Sequence, residues 1–133
     1  MQNISILVVE DETEFRRDIC DVLRDVGYHV YEAGNGKEGL EAYDEYGPDV
    51  IITDIFMPDV DGIELISTIR RIDVDTPIIA VSAAWEYLDV ANLFGANKTF
   101  YKPLHANLLL DAVQTLLVAS YWRQKTIQPL TKK

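Results

Sequence analysis

Four places in the chain set a charged or hydroxyl side chain directly behind a short apolar run. Glu10-Asp11-Glu12 follow Ile4-Ser5-Ile6-Leu7-Val8-Val9, Asp54 follows Val50-Ile51-Ile52-Thr53, Ser82 follows Ile78-Ile79-Ala80-Val81, and Lys102 follows Thr99-Phe100-Tyr101. Carboxylates gathered at one spot repel one another by about 4 kcal/mol per pair at 4 Å when the effective dielectric is near 20. Something positive must offset that. A hard divalent cation that takes few carboxylates and keeps several waters, as Mg²⁺ does, fits the need, because phosphate oxygens can complete its octahedron. A lysine delivered to the same spot adds a second positive charge within reach of a phosphoryl group. A carboxylate can accept a phosphoryl group once charge on the transferring group is neutralised, as in aspartyl-phosphate intermediates. Singly, each residue has a plainer role: Asp11 as a helix or turn cap, Ser82 as a loop hydroxyl, Lys102 as a solvated cation. Their joint placement carries the signal.

The elements that must position these groups follow from hydrophobic period. The β-branched run ending at Val9 reads as a strand, and Phe15, Ile19, Val22 and Val26 recur at helical spacing before Gly27 stops the helix. The unit then repeats. Tyr28 to Ala33 is a strand, and Leu40, Tyr43 and Tyr46 mark a helix face that Gly47-Pro48 breaks. Val50 to Thr53 is a buried strand, with Ile63, Ile66 and Ile69 on a helix opened near Asp61-Gly62. Pro77 introduces Ile78 to Val81, followed by a weaker helix around Glu86 to Phe94. Thr99-Phe100-Tyr101 is a short strand, and a long helix runs from about Ala106 to Ala119 or further. Five strands alternating with five helices need crossover connections, so the strands are predicted to be parallel with helices on both faces, a doubly wound α/β fold. In such a sheet every strand ends on one edge, where ligands bind. The four polar sites above are thereby predicted to converge.

Bulk composition sets the frame. The 133 residues suffice for one domain with a sizeable core; hydrophobic residues make up 48% and charged residues 26%, which is globular composition. No apolar run approaches the roughly 18 residues that span a bilayer. Met1-Gln2-Asn3 carries no basic cluster of the kind that opens a signal peptide, so a soluble, cytoplasmic protein with no membrane attachment is expected. Cys20 has no internal disulfide partner and reads as a small packing residue. The formal net charge is -10; residues 1–111 hold 8 basic against 22 acidic groups, and all four charges beyond them are basic, Arg123, Lys125, Lys132 and Lys133. So acidic a body argues against a nucleic-acid groove, and the dispersed basic tail reads as a solvated terminus.

Taken together, Val8-Val9-Glu10-Asp11-Glu12, Thr53-Asp54-Ile55-Phe56-Met57-Pro58-Asp59-Val60-Asp61-Gly62, Val81-Ser82-Ala83, Gly95-Ala96 and Tyr101-Lys102-Pro103 resemble the receiver domains of bacterial response regulators, over about residues 4 to 120. The resemblance implies a flavodoxin-like (βα)5 fold with strand order 2-1-3-4-5, a receiver domain over residues 1–120 and a tail or the start of a linker over 121–133. It implies Asp54 as phosphoacceptor, Asp11 as a direct Mg²⁺ ligand, Glu10 acting mainly through a metal-bound water, and the backbone carbonyl of Phe56 as a further ligand. Ser82 would hydrogen-bond the phosphoryl oxygen and Lys102 would pair with it. Met57-Pro58 and Gly62 would shape the loop into the third helix, glycine being chosen for backbone angles that other residues resist. A cis peptide between Lys102 and Pro103 is also implied. The implied partners are a sensor histidine kinase or histidine phosphotransfer protein, a downstream protein target and, as one arrangement, a homodimer.

Three departures stand out. The position three before the lysine, where many receivers carry an aromatic switch residue, holds Thr99, with Phe100 and Tyr101 following; this puts the usual aromatic switch in doubt. Glu10 replaces the commoner aspartate and reaches one methylene further. Trp85 lies just after Ser82 and Ala83 in the expected output loop, either partly buried or as an anchor for a partner, since tryptophan is favoured at binding hot spots. The region predicted to switch is therefore Ser82, Ala83, Trp85, Thr99 and Tyr101. A second reading is a phosphohydrolase of the haloacid dehalogenase kind, which also uses an Asp nucleophile and Mg²⁺. That class is similar only in part, because its second aspartate two residues after the nucleophile is here Phe56. Output stays open: the Thr99-Phe100-Tyr101 segment favours a stand-alone receiver, while Leu109, Val113, Leu116, Leu117 and Tyr121 favour a helix leading into a longer regulator.

Overall fold

A computed structural model describes residues 3–57 and 60–131, the last six of these by backbone alone. Five strands alternate with five helices: β1 (Ser5–Val9), α1 (Thr13–Asp25), β2 (His29–Ala33), α2 (Gly36–Tyr46), β3 (Val50–Asp54), α3 (Gly62–Arg70), β4 (Ile78–Ser82), α4 (Glu86–Phe94), β5 (Lys98–Tyr101) and α5 (Ala106–Thr131). All strand pairs are parallel and the sheet order is β2-β1-β3-β4-β5. The architecture is thus the doubly wound, flavodoxin-like one that the alternation predicts.

Side-chain alternation along each strand separates two cores. Ile6, Val8, Ile52, Ile79 and Val81 face α1 and α5, while Leu7, Val9, Ile51, Ile78 and Ala80 face α2, α3 and α4. Burying each of the Ile, Leu and Val side chains contributes about 1.5–3 kcal/mol. A one-residue slip of any central strand would exchange its two faces and misplace the polar group at its tip, so this burial fixes the register that the site depends on. Cys20 is buried and free on the α1 side, in the packing role predicted for it.

Helix ends follow their sequence signals. Asn35 and Asp61 cap α2 and α3 by accepting the backbone N–H of Glu38 and Glu64. Gly47 closes α2 in the left-handed conformation, at φ 55°. α5 continues through Thr131. Pro58, Asp59, Lys132 and Lys133 lie outside the described residues, as do Met1 and Gln2. Among the described residues, no helix is long and apolar enough to cross a membrane.

Candidate functional site

Parallel register brings the strand tips together. Val9 pairs with Thr53, so Glu10 and Asp54 stand one step on from the same rung; Asp54 pairs with Val81, and Ser82 with Tyr101, which Lys102 follows. Asp54 and Ser82 are themselves the last residues of β3 and β4, not the residues after them as the apolar runs suggested, because each continues its ladder. This holds both side chains on backbone that is paired and buried: Asp54 is 7% exposed and Ser82 wholly buried.

Glu10, Asp11 and Asp54 each place a carboxylate oxygen within 4.8 Å of the others. Lys102 reaches into the same space. Its Nζ donates to Glu10 Oε1 at 3.2 Å and lies 3.5 Å from Asp54 Oδ2. The remaining contacts are few: Glu10 Oε2 accepts the Glu12 N–H at 3.0 Å, and Asp54 Oδ1 accepts the Ile55 N–H at 2.9 Å. One ammonium therefore serves two buried carboxylates. Glu10 is pushed up to about 7, chiefly by burial and further by the Asp54 charge, against the pull of the Glu12 N–H and Lys102. Burial likewise raises Asp54 above the ordinary carboxylate range, and Asp11 adds to the shift while Lys102 and the Ile55 N–H oppose it. Three hard oxygen donors in a region short of positive charge make a chemically suitable seat for a divalent cation.

The other predicted residues surround this centre without all joining it. Ser82 Oγ accepts the Ala84 N–H at 3.0 Å, which leaves its own proton free to donate. Thr99 and Tyr101 pair with Ala80 and Ser82 and so share the face of β5 that looks toward α4, Thr99 half-buried and Tyr101 exposed. Ala83 is exposed and Trp85 is 66% exposed, which removes the partly buried alternative for the tryptophan. The Phe56 side chain is also exposed and meets the Tyr87 ring edge-on, with centroids 4.6 Å apart. The Lys102–Pro103 peptide is cis.

The role predicted for Gly62 needs correcting. Its backbone does not adopt positive φ; a Cβ there would instead overlap the Asp54 carbonyl oxygen and crowd the Ile55 backbone, while the Gly62 N–H donates to Ile55 O at 2.8 Å. Glycine is required for close approach, which lets α3 start against the tip of β3.

Two residues of α1 join the site though the sequence did not assign them to it, Phe15 being read only as part of the helix's apolar stripe. Arg16 donates from a terminal nitrogen to the Glu10 carbonyl at 2.7 Å and from Nε to Glu32 at 3.1 Å, tying the acidic loop to β2. Phe15 sets its ring under Lys102, whose Nζ lies 4.2 Å from the ring centroid. Both lie in the helix turn directly following the acids, which is the sequence signal that could have pointed to them.

The chain is similar to known proteins in sequence and in fold. Residues 6–114 match the family model described as the response regulator receiver domain. The chain is 36% identical over 115 residues to the chemotaxis protein CheY of Bacillus subtilis, covering 84% of this chain and 96% of that protein. It is 34% identical to the transcriptional regulatory protein TrcR of Mycobacterium tuberculosis, but spans 45% of TrcR's length. Among solved structures, the receiver domain of the Francisella response regulator 1452 superposes with a TM-score of 0.83 at 28% identity, covering 89% of this chain and 99% of that one. A CheY-like receiver domain protein from Methanospirillum hungatei gives 0.85 at 26% identity, covering 92% and 99%.

Proposed function

Because this chain belongs to the response regulator receiver domain family of two-component signalling, we propose that Asp54 accepts a phosphoryl group in a Mg²⁺-dependent reaction and that the modification alters a protein-docking surface. The single observation that carries the proposal is the placement of the Lys102 ammonium within 3.5 Å of both Glu10 and Asp54 at the edge where three carboxylates converge.

Each residue has a part in that reading. Glu10, Asp11, Asp54 and the Phe56 carbonyl would hold Mg²⁺, which when bound neutralises charge on the transferring oxygens. The Asp54 carboxylate forms a bond to phosphorus as the bond to the donor's imidazole nitrogen breaks, and the released imidazole takes up a proton. Lys102 pairs with the added oxygens. Ser82 turns its free proton toward one of them, which draws the Ala83 to Trp85 segment along, since Ser82 Oγ already holds the Ala84 N–H. With Thr99 in place of an aromatic, this loop and the exposed Trp85 are the route to the output surface. The donor is a sensor histidine kinase or histidine phosphotransfer protein, and the domain works in the cytoplasm with a downstream protein target. The phosphohydrolase reading loses ground on Phe56, which offers no acid–base group.

The test is intact mass measurement after exposure to a small phosphodonor. One phosphoryl group per chain, mapped to Asp54, dependent on Mg²⁺ and not turning over repeatedly, is the expected result. Steady multiple turnover of phosphomonoesters would favour the hydrolase instead.

A further inference from the structure

Lys102 has its side chain 19% exposed, and two of its neighbours are the carboxylates already described. Its third neighbour is the face of Phe15, 4.2 Å from Nζ to centroid, well inside the roughly 6 Å over which a ring quadrupole attracts a cation. The placement follows from helix geometry. Phe15 lies in the first turn of α1, and helical side chains lean toward the helix N-terminus, which here is the strand edge where Lys102 emerges. Phe15 also lines the apolar groove between α1 and α5 with Leu104 and Leu109. Packing in that groove asks only for an apolar side chain, whereas the ammonium asks for an aromatic one.

We infer that Phe15 is a positioning residue: its ring fixes the Lys102 ammonium over the Glu10–Asp54 pair, so that the cation is in place before a phosphoryl group arrives. A long, flexible lysine would otherwise sample many rotamers and be drawn away from the pair by hydration of its ammonium. The effect on phosphoryl transfer rests on the function proposed above; the placement itself does not.

The experiment separates the two. Phenylalanine, mono-, tri- and pentafluorophenylalanine are incorporated at position 15, which progressively removes the negative potential of the ring face at nearly constant shape, and Phe15→Leu and Phe15→Trp are made beside them. In the metal-free, unphosphorylated protein, NMR of the Lys102 side chain reads the placement: its Cε methylene protons are expected upfield from the ring current, and this shift is lost in Phe15→Leu. Labelling by acetyl phosphate with Mg²⁺ reads the consequence, with rates falling stepwise on fluorination, dropping about three- to tenfold in Phe15→Leu and recovering in Phe15→Trp. An unshifted Lys102 methylene in the native protein, or labelling that proceeds at one measurable rate across the fluorinated series, overturns the inference. A native protein that shows the shifted methylene yet takes no phosphoryl group upholds the placement and refutes Asp54 as acceptor.

Discussion

Two carboxylate sites sit at opposite edges of the same sheet and receive opposite treatment. Asp73, in the loop before β4, accepts from the Tyr43 hydroxyl at 2.6 Å, the Thr76 hydroxyl at 2.6 Å, and the backbone N–H groups of Asp75 and Thr76. These donors hold it well below the usual carboxylate range even though burial works against them, and Tyr43 is pushed up to about 12, first by burial and then by its bond to Asp73. At the other edge Glu10 and Asp54 are more deeply buried, have one backbone donor each, share one lysine, and are shifted upward. The first arrangement spends its donors on the anion and locks a turn. The second supplies fewer donors, one backbone N–H to each carboxylate and one shared ammonium, so burial outweighs them and both groups shift upward. That imbalance is what the cation-binding role proposed above rests on.

Substitutions can break this contrast in order of effect. The largest is chemical: Asp54→Asn should abolish phosphoryl acceptance in the mass assay, while Asp73→Asn leaves it intact. Normal labelling of Asp54→Asn refutes the acceptor assignment. Next comes folding stability. Asp73→Ala removes a hydrogen-bonded anion and should cost about 2 kcal/mol in urea unfolding without metal, whereas Asp54→Asn should stabilise the metal-free protein by removing one of the repelling charges. Equal losses from both would mean the edges are not different in kind.

A smaller effect is the pH dependence. Glu10 titrates near 7 folded and near 4.5 unfolded, so between those values the native state binds more protons and stability falls as pH rises. The slope from this group is at most about 1.4 kcal/mol per pH unit in metal-free protein and should vanish in Glu10→Gln. Asp73 has the opposite sign: its contribution is present above its ordinary value of 3.8 and is lost as pH falls below it. Thermal unfolding from pH 3 to pH 8 checks both signs. The smallest expected shift is the Mg²⁺ effect on midpoint temperature, which should be greater at pH 8 than at pH 5.5 because protonated Glu10 competes with the cation. A Mg²⁺ effect that is equal at the two pH values would argue against Glu10 in the cation site.

The sequence by itself determined the alternation of elements and the parallel sheet, because period and breaker residues are local signals, and the sheet edge then follows from topology. Glu10, Asp11, Asp54 and Lys102 were legible as a cluster because each stands at or just after a strand tip, the first three behind the buried runs of β1 and β3 and Lys102 behind the half-buried β5. Tertiary structure alone decided what those groups touch. That the Phe15 ring backs Lys102, that Arg16 grips the Glu10 carbonyl, that Tyr43 reaches Asp73 across 30 positions of chain, and that Gly62 is needed for closeness instead of backbone angle all depend on contacts between separate elements. Periodicity reports which face a residue takes; only packed helices and strands set the distances at which an ammonium, a ring and a carboxylate meet.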